Sequence, residues 1–396
     1  MADPLAWIDD EAARWERRGL ARRLVAHGAA TPGRLACDGR TLVNFGANDY
    51  LGLASDPRVV AAGRAAAEAF GWGAGASPLV TGWGAAHQEL AEALARFERA
   101  EAAVLFPSGF AANLGTIAAL VGAGDAVYVD RLDHACLIDG ARLSGASLRV
   151  FPHADADRLA AILARERARF RRALVATDGV FSMDGDLAPL DRLADLADRF
   201  DAMLLVDEAH GTGVFGPDGR GAASELGVAD RIPVRVGTLS KALGSIGGFV
   251  AGSRRLIDWL INHARPLIYS TGLPPAAAAS AREALRLVEA EPWRRERVRS
   301  LGETLRRSLA ADGYEVPSVS GPIVPVLLGC PGRVVALADQ LRARGFLVPA
   351  IRPPTVPNGG ARLRISLSAA HRDEDVADLV AALRPCPPES MTHRVE

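Results

Sequence analysis

Lys241 sits in Val236-Gly237-Thr238-Leu239-Ser240-Lys241-Ala242-Leu243-Gly244 and is the only lysine in the chain; the other 45 of its 46 Lys-plus-Arg positions are arginine. Arginine stays charged at any working pH, whereas a buried lysine amine can lose its proton and attack a carbonyl carbon. One reading is that this position needs an amine nucleophile. The other is compositional, because an Arg- and Ala-rich chain can retain a single lysine by chance.

Four further clusters carry polar chemistry at the exits of apolar runs. Ser108-Gly109-Phe110-Ala111-Ala112-Asn113 opens a helical stretch, so its backbone N–H groups and helix dipole suit a phosphate. A tight turn that needs glycine accounts for the same residues. Asp133-His134 follows the next run, and the imidazole suits either stacking on a flat ring or capping the helix that starts at Ala135. Thr177 to Gly185 is a polar, glycine-rich exit that carries Ser182. Leu204-Leu205-Val206-Asp207-Glu208-Ala209-His210-Gly211 delivers a carboxylate with a histidine three residues on. Nucleotide hydrolysis does not fit, since no G-x-x-x-x-G-K-[ST] loop is present, and no G-x-G-x-x-G opens an early βαβ unit.

Pyridoxal phosphate (PLP) gives all these groups a use at once. It needs a lysine for its aldehyde, a carboxylate for its pyridine nitrogen and a phosphate cradle. Asp207 would favour the protonated ring nitrogen. His210 and Ser182 would hydrogen-bond the phenolic oxygen, and Thr238 and Ser240 would add phosphate contacts.

These residues require a frame. Short apolar runs at Ala103–Phe106, Ala126–Val129, Leu148–Phe151, Ala173–Thr177, Met203–Val206, Val234–Gly237 and Gly248–Ala251 alternate with amphipathic stretches such as Asp155–Arg169 and Leu190–Arg199. That alternation predicts an α/β domain with a mostly parallel central sheet, whose ligands bind at the carboxyl ends of the strands. Upstream, residues 6–26 have helical spacing, Thr41–Phe45 reads as a strand, Ser55-Asp56-Pro57 opens a helix, and Ala85–Ala100 continues as a second one. Pro274–Ala311 reads as one or two helices interrupted at Glu291-Pro292. Beyond them, strands at Ile323–Leu328 and Arg362–Leu367 and helices at Arg333–Arg344 and Asp373–Leu383 predict a smaller α+β unit. The expected organisation is an N-terminal arm (1–45), a large domain (46–285), a small C-terminal domain (286–384) and a loose tail (385–396).

Asn48-Asp49-Tyr50-Leu51-Gly52, Ser108 to Asn113, Asp178 to Gly185, Val206 to Gly213 and Thr238-Leu239-Ser240-Lys241 resemble the α-oxoamine synthases, from about residue 20 to 384. The resemblance implies a type I PLP-dependent transferase fold, aspartate-aminotransferase-like, and an acyltransferase that condenses an amino acid with an acyl thioester and releases CO2. Ile351 to Pro357 and Ala361 to His371 are most similar to the members that join L-alanine to a pimeloyl thioester, carried by acyl carrier protein or coenzyme A. Sister activities on glycine or serine remain open, as does a partner subunit without chemistry. The resemblance further implies that Lys241 holds PLP covalently and moves the substrate α-proton, and that His134 stacks on the ring. Ser108, Gly109 and Phe110 lie at the cofactor; Arg364 grips the amino-acid carboxylate; Asn48 and Thr355 contact substrate. An N-terminal arginine, Arg22 or Arg23, faces the acyl group. It also implies a homodimer with interface active sites, in which Ser270 and Thr271 reach the partner's phosphate.

Composition excludes several other classes. Hydrophobic residues make up 49% and the formal net charge is −1, with Arg interspersed among Asp and Glu, so no nucleic-acid patch is expected. No apolar run reaches membrane-spanning length, and Met1 to Asp10 lacks a signal-peptide pattern. Cys37, Cys136, Cys330 and Cys386 are far apart, which suggests neither disulfides nor a metal site and points to a reducing cytoplasm.

Overall fold

A computed structural model describes residues 3–317 and 321–384. The expected loose tail, 385–396, lies outside the described residues. By contacts the chain forms two units, Asn48–Arg299 and Met1–Ala47 together with Ser300–Glu396.

The Asn48–Arg299 unit is built on seven strands: β1 (Ala102–Phe106), β2 (Ala126–Asp130), β3 (Ser147–Phe151), β4 (Ala173–Asp178), β5 (Met203–Asp207), β6 (Val234–Thr238) and β7 (Gly248–Gly252). All seven predicted strands are present, each within a residue or two of the expected bounds. Their order is β1-β7-β6-β5-β4-β2-β3. β7 runs antiparallel to both neighbours, and the remaining pairs are parallel. Register sets Asp178 opposite Asp207 and Thr238 opposite Gly248, so the polar strand ends share one edge. The strands themselves are apolar almost without a break, as expected where both faces are covered. On one face Val129, Leu174, Leu205 and Val250 pack with Ile117, Leu137 and Leu260 from helices Gly109–Leu120, Ala135–Ser144 and Arg254–His263.

Local chemistry sets the helix starts. Asp56 caps Pro57–Phe70 by accepting from the Arg58 N–H (3.0 Å), with Pro57 at the first position, where no amide hydrogen is needed. Ser108 caps Gly109–Leu120 by accepting from the Ala111 N–H at 3.0 Å. Helix Pro275–Ala290 packs against Pro57–Phe70 and Ala85–Phe97 within the same unit, and Trp293–Ala311 follows the Glu291-Pro292 break.

In the other unit, Ile323–Gly329, Ala361–Ser366 and Ala350–Ile351 form a three-stranded antiparallel sheet with helices Pro331–Ala343 and Asp373–Leu383. Arg40–Asn44 pairs antiparallel with Arg34–Cys37 and parallel with Phe346–Leu347, pairings that were not expected. The N-terminal helix is shorter than its periodicity suggests and covers only Trp7–Arg17. Gly19, at φ 64°, ends it: its N–H donates to Glu16 O (2.9 Å), and the Leu20 N–H donates to Trp15 O (2.9 Å). This is a left-handed glycine stop that apolar spacing alone does not reveal.

Candidate active site

The site in the Asn48–Arg299 unit is assembled from the carboxyl ends of β2, β4, β5 and β6 and the turns that follow them. Lys241, three residues beyond β6, places Nζ 2.8 Å from His210 Nε2. His210, three residues beyond β5, places Nδ1 2.6 Å from the hydroxyl of the fully buried Tyr50, which also donates to Asn48 Oδ1 at 3.1 Å. The sequence motif contained Tyr50, but nothing local showed that its hydroxyl would meet a histidine 160 residues away.

Asp207 ends β5 and is buried. Its Oδ1 accepts from the Ala209 N–H at 2.8 Å and its Oδ2 from Asn113 Nδ2 at 2.7 Å. Asn113 belongs to the helix that Ser108 caps, and the sequence reading assigned it no role. Its amide is what orients the carboxylate. Glu208, next in the chain, is buried, and accepts from the Ala222 and Ala223 N–H groups, both at 2.8 Å. Burial pushes its pKa up to about 8. Gly221, at φ 112°, passes so close to this carboxylate that a side chain there would overlap it.

His134 is the N-cap of Ala135–Ser144, with Nδ1 accepting from the Cys136 N–H at 3.3 Å. The capping geometry is therefore present; the residue is exposed as a whole, while the Nδ1 edge of its ring is turned toward the buried Cys136. Its backbone N–H donates to Asp178 Oδ2 at 3.1 Å. Asp133 accepts from the Asp178 N–H (2.9 Å), the Asp130 N–H (2.7 Å) and the Thr177 hydroxyl (3.2 Å). Burial pushes both carboxylic acids, Asp133 and Asp178, well above the usual carboxylate range; the Asp130 charge adds to this at Asp133, and the Asp133 and Asp207 charges add to it at Asp178. They fasten the turn after β2 to the end of β4. Ser182 lies four residues past β4 in a half-buried loop that closes with Gly185 N–H donating to Phe181 O at 2.8 Å.

The helix that starts at Gly109 approaches β6 and β7 closely. A Cβ at Gly109 would meet Thr238 Cβ at 3.2 Å, and one at Gly248 would meet Ser108 O at 2.5 Å. Thr238 Oγ1 and Ser240 Oγ are 2.7 Å apart, and Thr238 also donates to Gly247 O at 3.0 Å. The Thr238 and Ser240 hydroxyls and the first turn of a helix thus come together close to Lys241 in the chain, an arrangement suited to a phosphate. Phe110 is exposed and meets His134 edge-on, with ring centroids 6.2 Å apart. Ser270 and Thr271 line a small cleft with Pro78, Trp83, His87 and Pro107, the residue before Ser108.

The other unit holds the remaining expected residues. Arg364, buried, donates from Nη1 to Ser366 Oγ at 2.7 Å. Arg22 donates from Nη2 to Thr355 Oγ1 at 2.9 Å, whereas Arg23 points to Glu16 at 3.6 Å. Of the two arginines, Arg22 is thus the one that meets Thr355, another expected substrate residue.

Residues 40–383 match the model of the family described as aminotransferase class I and II. A protein from Anaeromyxobacter dehalogenans named 8-amino-7-oxononanoate synthase is 51% identical, over 96% of this chain and 95% of that protein. One of the same name from Methylococcus capsulatus is 50% identical, over 96% of each. Among solved structures, serine palmitoyltransferase from S. paucimobilis with a bound PLP–myriocin aldimine superposes with a TM-score of 0.91 at 32% identity, covering 97% of this chain and 98% of that one. An 8-amino-7-oxononanoate synthase from Francisella tularensis superposes with a TM-score of 0.75 at 29% identity, covering 87% and 97%.

Proposed function

The chain belongs to the aminotransferase class I and II family, and from that premise we propose that it is a PLP-dependent α-oxoamine synthase with 8-amino-7-oxononanoate synthase activity. The reaction joins L-alanine to a pimeloyl thioester and yields the amino ketone, CO2 and the free thiol carrier, a step of biotin biosynthesis. The observation that carries this reading is the 51% identity, over nearly the full length of both chains, to relatives bearing that name.

The residues fit the cofactor. Asp207, aimed by Asn113 and the Ala209 N–H, offers a carboxylate for the pyridine nitrogen. The turn around Thr238 and Ser240 and the capped start of Gly109–Leu120 pack against each other, so their hydroxyls and N–H groups could meet one phosphate. When bound, PLP supplies an electron-accepting ring and so weakens bonds at the amino-acid α-carbon.

The chain's own residues do the rest. Lys241 Nζ accepts the alanine α-proton and returns one after CO2 has left. His210, 2.8 Å from Nζ and braced by Tyr50, holds that amine in place. With the cofactor bound, the His134 ring would cover its face and Ser182 would hydrogen-bond its phenolic oxygen. Arg364 binds the alanine carboxylate, for which a planar guanidinium fork is suited. Arg22, with Thr355, meets the acyl substrate, and Asn48 lies at the alanine side. In a homodimer Ser270 and Thr271 contact the partner's phosphate, and the enzyme works in the cytoplasm. No helix among the described residues is long and apolar enough to cross a membrane.

A visible absorption spectrum of the purified chain with PLP tests the reading, titrated in turn with L-alanine, glycine and L-serine. A band that responds selectively to L-alanine, with thiol release only when a pimeloyl thioester is added, is the expected result. Selectivity for serine would move the enzyme toward the activity of its serine palmitoyltransferase neighbours. The absence of any cofactor band would overturn the assignment.

A further inference from the structure

Asn113 and Cys136 are buried, at 1% exposure each; Asn113 aims Asp207, and Cys136 has no part in the chemistry above. Asn113 Nδ2 donates to Asp207 Oδ2 (2.7 Å) and also to Cys136 Sγ (3.2 Å). Cys136 Sγ lies 2.9 Å from His134 Nδ1. We propose that Asn113 and Cys136 are positioning residues, forming one hydrogen-bonded chain that sets the Asp207 carboxylate and the tautomer of His134 together.

Donor counting fixes the direction of every link. The Asn113 amide nitrogen has two hydrogens, one for Asp207 and one for the sulfur. Turning the amide over would set its oxygen against the Asp207 carboxylate, so the nitrogen faces inward and Oδ1 is left buried without a partner. The Cys136 backbone N–H already donates to His134 Nδ1 at 3.3 Å, so that nitrogen carries a lone pair and no proton. The thiol must then donate to Nδ1 while its sulfur accepts from Asn113. Burial pushes the Cys136 thiol up, which keeps its hydrogen in place to donate. Burial likewise pulls the His134 pKa down, Asp207 and Asp139 oppose it, and Lys241 adds to it. The result is a neutral His134 with its proton on Nε2, its single Nδ1 lone pair shared between the Cys136 thiol and backbone N–H.

This chain deepens the proposed function, because it rests on Asp207 and His134 serving the same cofactor. It implies that the group meeting the ring nitrogen and the group covering the ring are held to one geometry rather than two. A hydroxyl at position 136 could take over both links, since it accepts and donates as the thiol does. An alanine or valine there breaks them.

The test is nitrogen-15 NMR of the His134 imidazole in the full-length protein, recorded over pH both before and after PLP is added. The wild type is expected to show an unprotonated Nδ1 and a single tautomer. In Cys136→Ala the protonation constant of His134 should rise by roughly tenfold, the factor that loss of one net hydrogen bond to the neutral form implies. Cys136→Ser should restore the wild-type signature, which a merely space-filling role for the sulfur does not predict. Should the alanine variant fail to fold, Cys136→Val keeps the volume and removes the donor. A protonated Nδ1 in the wild type, or a donor-less variant that titrates like the wild type, overturns the proposal. Because the imidazole is read with and without PLP, failure of the protein to bind cofactor would sink the proposed function while leaving this result readable.

Discussion

At the scale of single residues, Lys241→Arg places a guanidinium near His210 and removes the only side-chain amine in the chain able to bond an aldehyde. PLP added to that variant should give no lysine-bound visible band, and borohydride should leave no cofactor attached to the protein. A chromophore reducible onto the protein would show that another group is the nucleophile. Arg364→Ala should raise the KM for L-alanine by about 10- to 100-fold, the equivalent of losing one charged hydrogen-bonded pair worth roughly 1.5–3 kcal/mol. An unchanged KM would remove Arg364 from the carboxylate site. The chain's near-exclusive use of arginine made Lys241 legible in sequence. The motifs around it held Asn113 and Tyr50 as well, but their roles depend on partners 94 and 160 residues away, which no local pattern encodes.

At the scale of elements, caps and loop clasps hold the strand ends where the chemistry needs them. Asp56 caps its helix and pairs with Arg58 (2.8 Å) and Arg294 (3.0 Å), and its pKa is lowered to about 2, chiefly by the hydrogen bond from Arg58. Asp56→Ala should lower the unfolding free energy by about 0.5–2 kcal/mol for the cap alone, measured by denaturant titration. His153 clasps two elements, with Nδ1 3.1 Å from Asp130 at the end of β2 and Nε2 2.9 Å from Asp186 in the Ser182 loop. Burial works against its charge, but the two carboxylates outweigh burial and raise its pKa from 6.5 to about 10. A raised pKa means the folded state binds the proton more tightly than the unfolded state. The stabilisation is therefore full below pH 6.5 and is lost as pH climbs through about 10. Wild type and His153→Gln should accordingly differ most in stability at neutral pH and below, and converge in strong alkali. A gap that stayed constant with pH would show that the histidine is neutral in the fold.

At the scale of the whole molecule, the β1–β7 sheet is the support for the cluster of His134, Ser182, Asp207, His210 and Lys241 at its strand exits. Leu205, wholly buried in the central strand β5, tests that support. Leu205→Ala should cost about 2–5 kcal/mol through lost burial and the cavity left behind, seen as a lower denaturation midpoint. The sequence by itself determined the class of fold, the seven strands of this sheet and the clusters at their exits, because alternation, apolar runs and turn residues are properties of neighbours in the chain. It did not contain the order of those strands, with β7 inserted antiparallel between β1 and β6. Nor did it contain the glycine stop after the first helix as a reading of periodicity, the pairing of Arg22 with Thr355, or the link from Asp207 through Asn113 and Cys136 to His134. Those were decided only in three dimensions, because strand order and long-range hydrogen bonds are chosen by packing and by the need to satisfy buried polar groups.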